Sequence, residues 1–186
     1  VADAHDAVYA LAMRNRTDSL KPLKEGVAEA LVRVAEAAQR GGGIVGTPSG
    51  FADLDKLTAG FEAGQLVILA ARPGMGKTSL ATNIAFNAAQ RLMYDQRQGI
   101  ENTPGAGVVV FSLEMSADQL ATRILAEQAE VSSELLRSGR LSRDQFQRLS
   151  FASQELAELP LYIDDTPGLT IGALRTRARR LKRRHD

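Results

Sequence analysis

Residues 66–78 read LVILAARPGMGKT: five apolar residues from Leu66 to Ala70, then Ala71, Arg72, Pro73, Gly74, Met75 and Gly76, then Lys77 and Thr78. A short uninterrupted apolar run predicts a strand buried on both faces. The proline and glycines end it, and a helix is expected from Lys77 to about Met93. Strand, glycine-bearing turn, Lys-Thr and helix together make a phosphate-binding loop, with Ala71 where the common pattern has its first glycine. Gly74 and Gly76 let backbone N–H groups turn inward around a triphosphate, and the helix points its positive end at the same place. Lys77 adds a full charge for the β- and γ-phosphates, and the Thr78 hydroxyl is an oxygen ligand for Mg²⁺. The expected ATP site is Ala71, Arg72, Pro73, Gly74, Met75, Gly76, Lys77, Thr78 and Ser79, with Thr78 on the metal and Lys77 also catalytic.

Working outward from this loop, strands and helices alternate. Residues 94–107 are polar and carry glycine and proline, so they read as a loop; Val108–Leu113 (VVVFSL) reads as the next strand. Ser116 with Gln119, and Ser142 with Gln145, are capping boxes that open helices to about Glu130 and Glu158. The segment 131–141 reads as a short helix and turn, Leu161–Ile163 as a third strand, and Thr170 as the cap of a last helix with the stripe Ile171, Leu174, Ala178 and Leu181. This alternation predicts an α/β fold, a parallel sheet with helices on both faces, whose ligands sit at the carboxyl ends of the strands. Upstream, residues 3–14 and a stripe through Val27, Leu31, Val34 and Ala38 form a helical linker that Gly41-Gly42-Gly43 ends. The expected organisation is therefore 1–43 as linker and 44–186 as the start of the nucleotide-binding domain.

Hydrolysis needs a group that activates water and an acid that helps hold the metal. Glu114, directly after the VVVFSL strand, is one candidate. The other is Asp164 at the end of LYID, although Asp165-Thr166-Pro167-Gly168 looks equally like a turn. Spacing alone does not choose between them.

The 186 residues carry 23 Lys+Arg against 22 Asp+Glu, a net charge of +1. Seven of the basic residues lie between Arg175 and Arg184, and the rest of the chain has 16 basic against 22 acidic. A uniformly basic nucleic-acid coat is not supported; one terminal basic element is. That helix reads either as a DNA surface or as a layer helix with its arginines in water, and its complete apolar stripe favours packing. There is no cysteine, so a disulfide scaffold, a thiolate nucleophile and cysteine-bound zinc are excluded. His5 and His185 lie at opposite ends. No apolar run approaches the roughly 20 residues of a membrane span, and VADAHD is not the start of a secretion signal. A cytoplasmic protein without a membrane partner is expected.

Five stretches, KPLKEGVAEALVRV, GTPSGFADLDKLTAGF, LVILAARPGMGKTSLATNIA, VVVFSLEMSADQLATRIL and LPLYIDDTPGLTI, follow one another through the chain. Together they resemble the bacterial replicative DNA helicases of the DnaB type, RecA-like ATPases, and FSLEMS beside IDDTPG points to that branch. The resemblance implies a homo-hexameric, ATP-dependent helicase that acts on single-stranded DNA and works with primase and a helicase loader. It carries the role of catalytic base onto Glu114. It also implies that Asp164 is not the Walker B aspartate. The Walker B strand, the DNA-contacting loops, the arginine finger and the primase-interacting domain would lie outside these residues, leaving the isolated fragment inactive. Residues 3–14 match the helix that packs on an adjacent subunit. The alternative expectation is an ATP-binding assembly or regulatory module that does not unwind.

Overall fold

The computed structural model describes residues 22–39 and 44–185; the expected helix at 3–14 and the Gly41–Gly43 break lie outside them. Contacts divide the chain into two units, Val1–Gly43 and Ile44–Asp186. The described part of the first is helix α1 (Leu23–Gln39), which starts after Pro22, a residue that favours helix entry. Its stripe residues Val27, Leu31 and Val34 are exposed.

In the second unit, α2 (Ala52–Thr58) and α3 (Lys77–Arg97) precede strand β1 (Val108–Phe111). Helices α4 (Ala117–Gln128), α5 (Ser133–Ser138) and α6 (Arg143–Ala157) then lead to β2 (Leu161–Asp164) and α7 (Ile171–His185). β1 and β2 pair in parallel, Val108 opposite Leu161 and Phe111 opposite Asp164. Side chains alternate across a strand. Val108 and Leu161 therefore share the face that packs on Phe86, Ala89 and Met93 of α3, Ile124 of α4 and Leu159. Full burial of side chains such as Phe86 and Met93 contributes about 1.5–3 kcal/mol each. A second cluster, Ala129, Val131, Leu149 and Ala152, with Leu135 and Leu136 against it, joins the ends of α4, α5 and α6.

Both capping boxes form: Ser116 accepts from the Gln119 N–H and Ser142 from the Gln145 N–H, with each glutamine reaching back. Ser132 caps α5, and Thr170 accepts from the Ala173 N–H at 3.2 Å. On the other sheet face, Ala178 and Leu181 of α7 stand near Val109 and Tyr162, and a cavity of about 210 Å³ lies between Leu181 and Phe111. The stripe is used only in part, because Ile171 and Leu174 are exposed.

Two expectations change. The run 66–70 is not a strand: it is irregular, and Leu66, Val67, Ile68 and Leu69 are 45–86% exposed. A strand needs a partner for its backbone groups, and no described segment pairs with this run. Helix α3 also runs a turn beyond Met93. Fully buried Asp95 accepts from Thr103 Oγ1 at 2.6 Å and Arg91 Nε at 2.8 Å, which holds that turn and the loop after it. The Thr103 hydrogen bond, ahead of opposing burial and the Arg91 contacts, sets the Asp95 carboxyl below its ordinary range.

That loop returns along α3. The Ala106 N–H donates to the Ala88 carbonyl at 3.0 Å, and a Cβ on Gly105 would stand 2.2 Å from the Leu92 nitrogen. Gly105→Ala should therefore destabilise the protein by about 1–3 kcal/mol. Gly107→Ala, whose Cβ would meet nothing nearer than 3.8 Å, should change stability by less than about 0.5 kcal/mol. Urea denaturation of both variants checks the contrast.

Candidate nucleotide-binding site

The loop before α3 has the backbone that its glycines allow. Gly74 and Gly76 adopt φ of 77° and 85°, a region costly for other residues. No atom crowds either position, so conformation rather than space demands glycine. The Met75 N–H closes a turn onto the Arg72 carbonyl at 3.3 Å, and the first helical bond runs from Leu80 N–H to Gly76 O at 2.9 Å. The N–H groups of Lys77, Thr78 and Ser79 therefore have no acceptor among the described residues, the ordinary state of a helix start and the basis of anion binding there. Residues 71–77 are exposed and Thr78 is half-buried. Neither the Lys77 ammonium nor the Thr78 hydroxyl bonds a described residue. Buried Thr82 fixes the first turn from behind, donating to the Thr78 and Ser79 carbonyls. A triphosphate fits this donor set, and Thr78 offers the oxygen a magnesium ion takes.

Glu114 stands in the turn between β1 and α4. The Ser112 hydroxyl donates to the Met115 carbonyl at 2.6 Å and accepts the Met115 N–H at 3.1 Å, enclosing Leu113 and Glu114. Glu114 is exposed and makes no bond to a described residue, so it is not joined to Lys77. What the structure brings together is their supports, since α3 packs on β1, β2 and α4.

The two aspartates at the end of β2, Asp164 and Asp165, are both engaged. Asp164 accepts from Arg177 of α7 through both oxygens and from the Thr166 hydroxyl at 2.7 Å. With its lone pairs so engaged, Asp164 is poorly suited to hold a metal. Asp165 accepts the Ala117 N–H at 2.8 Å, at the start of α4, and Gly168 takes the positive φ of a turn. Of the basic residues on α7, Arg177 thus makes a structural contact that its expected place in water did not suggest.

Sequence reading missed the clamp that docks residues 44–61 on α3. Asp55 accepts from the Ser49 N–H at 2.7 Å and the Gly50 N–H at 3.2 Å, and Asn87 of α3 donates to the Ser49 carbonyl at 2.9 Å. Thr47 and Phe61 bridge, so closely that a Cβ on Gly46 would stand 2.4 Å from the Phe61 oxygen. The only available signal was the glycine and serine content of GTPSGF.

Residues 46–186 match the model of the DnaB-like helicase C-terminal domain, and the chain belongs to that family of α/β, RecA-like ATPase domains. It is 42% identical over 160 residues to the replicative DNA helicase DnaB of Rickettsia prowazekii (strain Madrid E), covering 86% of this chain and 32% of that one. It is 35% identical over 182 residues to the replicative DNA helicase DnaC of Bacillus subtilis (strain 168), covering 98% and 37%. The chain thus spans about a third of the length of the curated relatives it matches. Among solved structures, one described as an ATPase domain superposes with a TM-score of 0.71 at 31% identity, over 85% of this chain and 52% of that one. A DnaB-like replicative helicase, described with its interactions with primase, gives 0.69 at 26% identity, over 97% and 45%.

Arg177 first, then Thr166, lowers the Asp164 carboxyl from 3.8 to about 2. A depressed folded-state value contributes stability that is complete above the unfolded value and lost as pH falls through the folded one. The stability gap between the protein and Arg177→Met should therefore be full above pH 3.8 and close as pH falls to about 2. Denaturant midpoints across that window measure it, and a gap that does not vary with pH contradicts the ion pair.

Proposed function

We propose that the protein carrying this chain is an ATP-dependent replicative DNA helicase that unwinds the duplex at the replication fork, and that residues 71–79 are its MgATP site. The observation that carries the reading is the group of unpaired N–H donors at Lys77, Thr78 and Ser79, behind two glycines of positive φ. Family membership supports it. The Lys77 ammonium would hold the β- and γ-phosphates, and the Thr78 hydroxyl would be an oxygen ligand for Mg²⁺, which when bound would supply charge neutralisation at the transferring phosphoryl group. Glu114, exposed at the carboxyl end of β1 and free of any described partner, orients the attacking water and takes its proton.

By the same reading the protein works as a homo-hexamer on single-stranded DNA in the cytoplasm, with primase and a helicase loader as partners. The solved relative described with its interactions with primase supports the first of these partners. Among the described residues, no helix is long and apolar enough to cross a membrane.

Lys77→Ala should abolish MgATP binding in a calorimetric titration. Glu114→Gln should bind MgATP normally while its turnover falls by about 10²- to 10⁴-fold. Stimulation of turnover by single-stranded DNA in the intact protein supports the helicase. MgATP binding without DNA-stimulated turnover identifies an assembly or regulatory module instead, and overturns the proposal.

A further inference from the structure

The turn that presents Glu114 is fastened at both ends, and the fastenings come from residues with no assigned role. At its start, the Ser112 N–H donates to the Asp164 carbonyl at 2.9 Å, which extends the β1–β2 pairing by one residue. The Ser112 hydroxyl then closes the turn with its two bonds to Met115. At its end, the Asp165 carboxylate reaches across 48 residues of sequence to accept the Ala117 N–H at 2.8 Å, while Ser116 and Gln119 complete the capping box. Between these anchors Leu113 is 75% exposed, and Glu114 is exposed and unpaired. Among the described residues, nothing grips the Glu114 side chain itself. Its position is set through the backbone, and the backbone is set by Ser112 and Asp165.

The aspartate pair divides its work. Asp164 turns to Arg177 and Thr166 on the α7 side, whereas Asp165 turns to the first turn of α4. Carboxylates favour helix N-termini for electrostatic reasons. Here, however, Ser116 already caps α4 through the Gln119 N–H, so Asp165 adds a cross-link between the β2 exit and the Glu114 turn.

We propose that Asp165 and Ser112 are positioning residues for Glu114, acting on its carboxylate through the 112–117 turn. The inference rests on the reading of Glu114 as the base that activates water. Misplacing a reacting group by about 1 Å is worth up to about 10²-fold in rate. Asp165→Ala and Ser112→Ala should therefore lower kcat for ATP by about 10- to 100-fold, with KM and MgATP affinity within about twofold of the parent protein.

The test is steady-state ATP hydrolysis by the intact protein, with MgATP affinity measured in parallel. The variants are Glu114→Gln, Asp165→Ala, Asp165→Asn, Ser112→Ala and Ser112→Thr. Asn keeps an oxygen for the Ala117 N–H and Thr keeps the hydroxyl, so both should recover most of the lost kcat. In a Glu114→Gln background, Asp165→Ala and Ser112→Ala should have no further effect, because they act through a group already removed. A merely structural role predicts loss of affinity, no rescue, and additive losses in the double variants; any of these overturns the inference. If Glu114→Gln loses turnover while Asp165→Ala and Ser112→Ala keep it, this inference alone fails. If Glu114→Gln turns over normally, the base assignment fails and takes the inference with it. Should Asp165→Ala not fold, Ser112→Ala and its threonine rescue decide the matter.

Discussion

Close approach to helix α3 is the constraint on which the second unit depends. Ala85, Ala88 and Ala89 leave one side of the helix nearly flat, and Ala89 is completely buried. The return loop can then lay Gly105 and Ala106 against the helix, and β1 and β2 can pack on Phe86 and Met93. Residues 44–61 reach the same helix through the Asn87–Ser49 hydrogen bond. Each of these contacts fixes the axis of α3, and its amino end is where Gly76, Lys77 and Thr78 stand. A helix held along its length is a rigid support for a phosphate site, in line with the general advantage of building sites on rigid elements.

Electrostatics follow from that geometry. The donors that face outward at the start of α3 are those an α-helix cannot satisfy internally, and the glycines keep side chains from covering them. Elsewhere in the unit, four aspartates are engaged by partners: Asp55 by backbone N–H groups, Asp95 by Thr103 and Arg91 through one oxygen, Asp164 by Arg177 and Thr166, Asp165 by Ala117. Glu114, at the carboxyl end of β1, is left without such a partner among the described residues. A carboxylate that is not engaged in holding the fold is available for chemistry, and its backbone is nonetheless tied down on both sides.

Much of this was legible in the residues. The loop 71–78, the start of α3 and both capping boxes are local patterns in which a few neighbouring side chains satisfy backbone groups. The run Leu66–Ala70 misled because an apolar run is a property of one segment, whereas a strand is a property of two. Arg177 was unreadable for a related reason: its position on α7 predicts solvent, and only the fold brings Asp164 within reach. Asn87 and Asp55 are likewise polar residues whose partners lie across the fold, and polar contacts have no period to reveal them. Glu114 and Asp164, alike on spacing, differ in the same kind of contact, since Arg177 engages Asp164 and no described residue engages Glu114.

The central claim is that the amino end of α3 is a triphosphate cradle made of backbone amides. Hydrogen exchange at the amides of residues 74–79, measured with and without saturating MgATP or a non-hydrolysable analogue, tests it most directly. The account predicts marked slowing at Gly76, Lys77, Thr78 and Ser79 on binding, because those N–H groups gain acceptors. Tight nucleotide binding with unchanged exchange at these four amides would place the triphosphate elsewhere and contradict it.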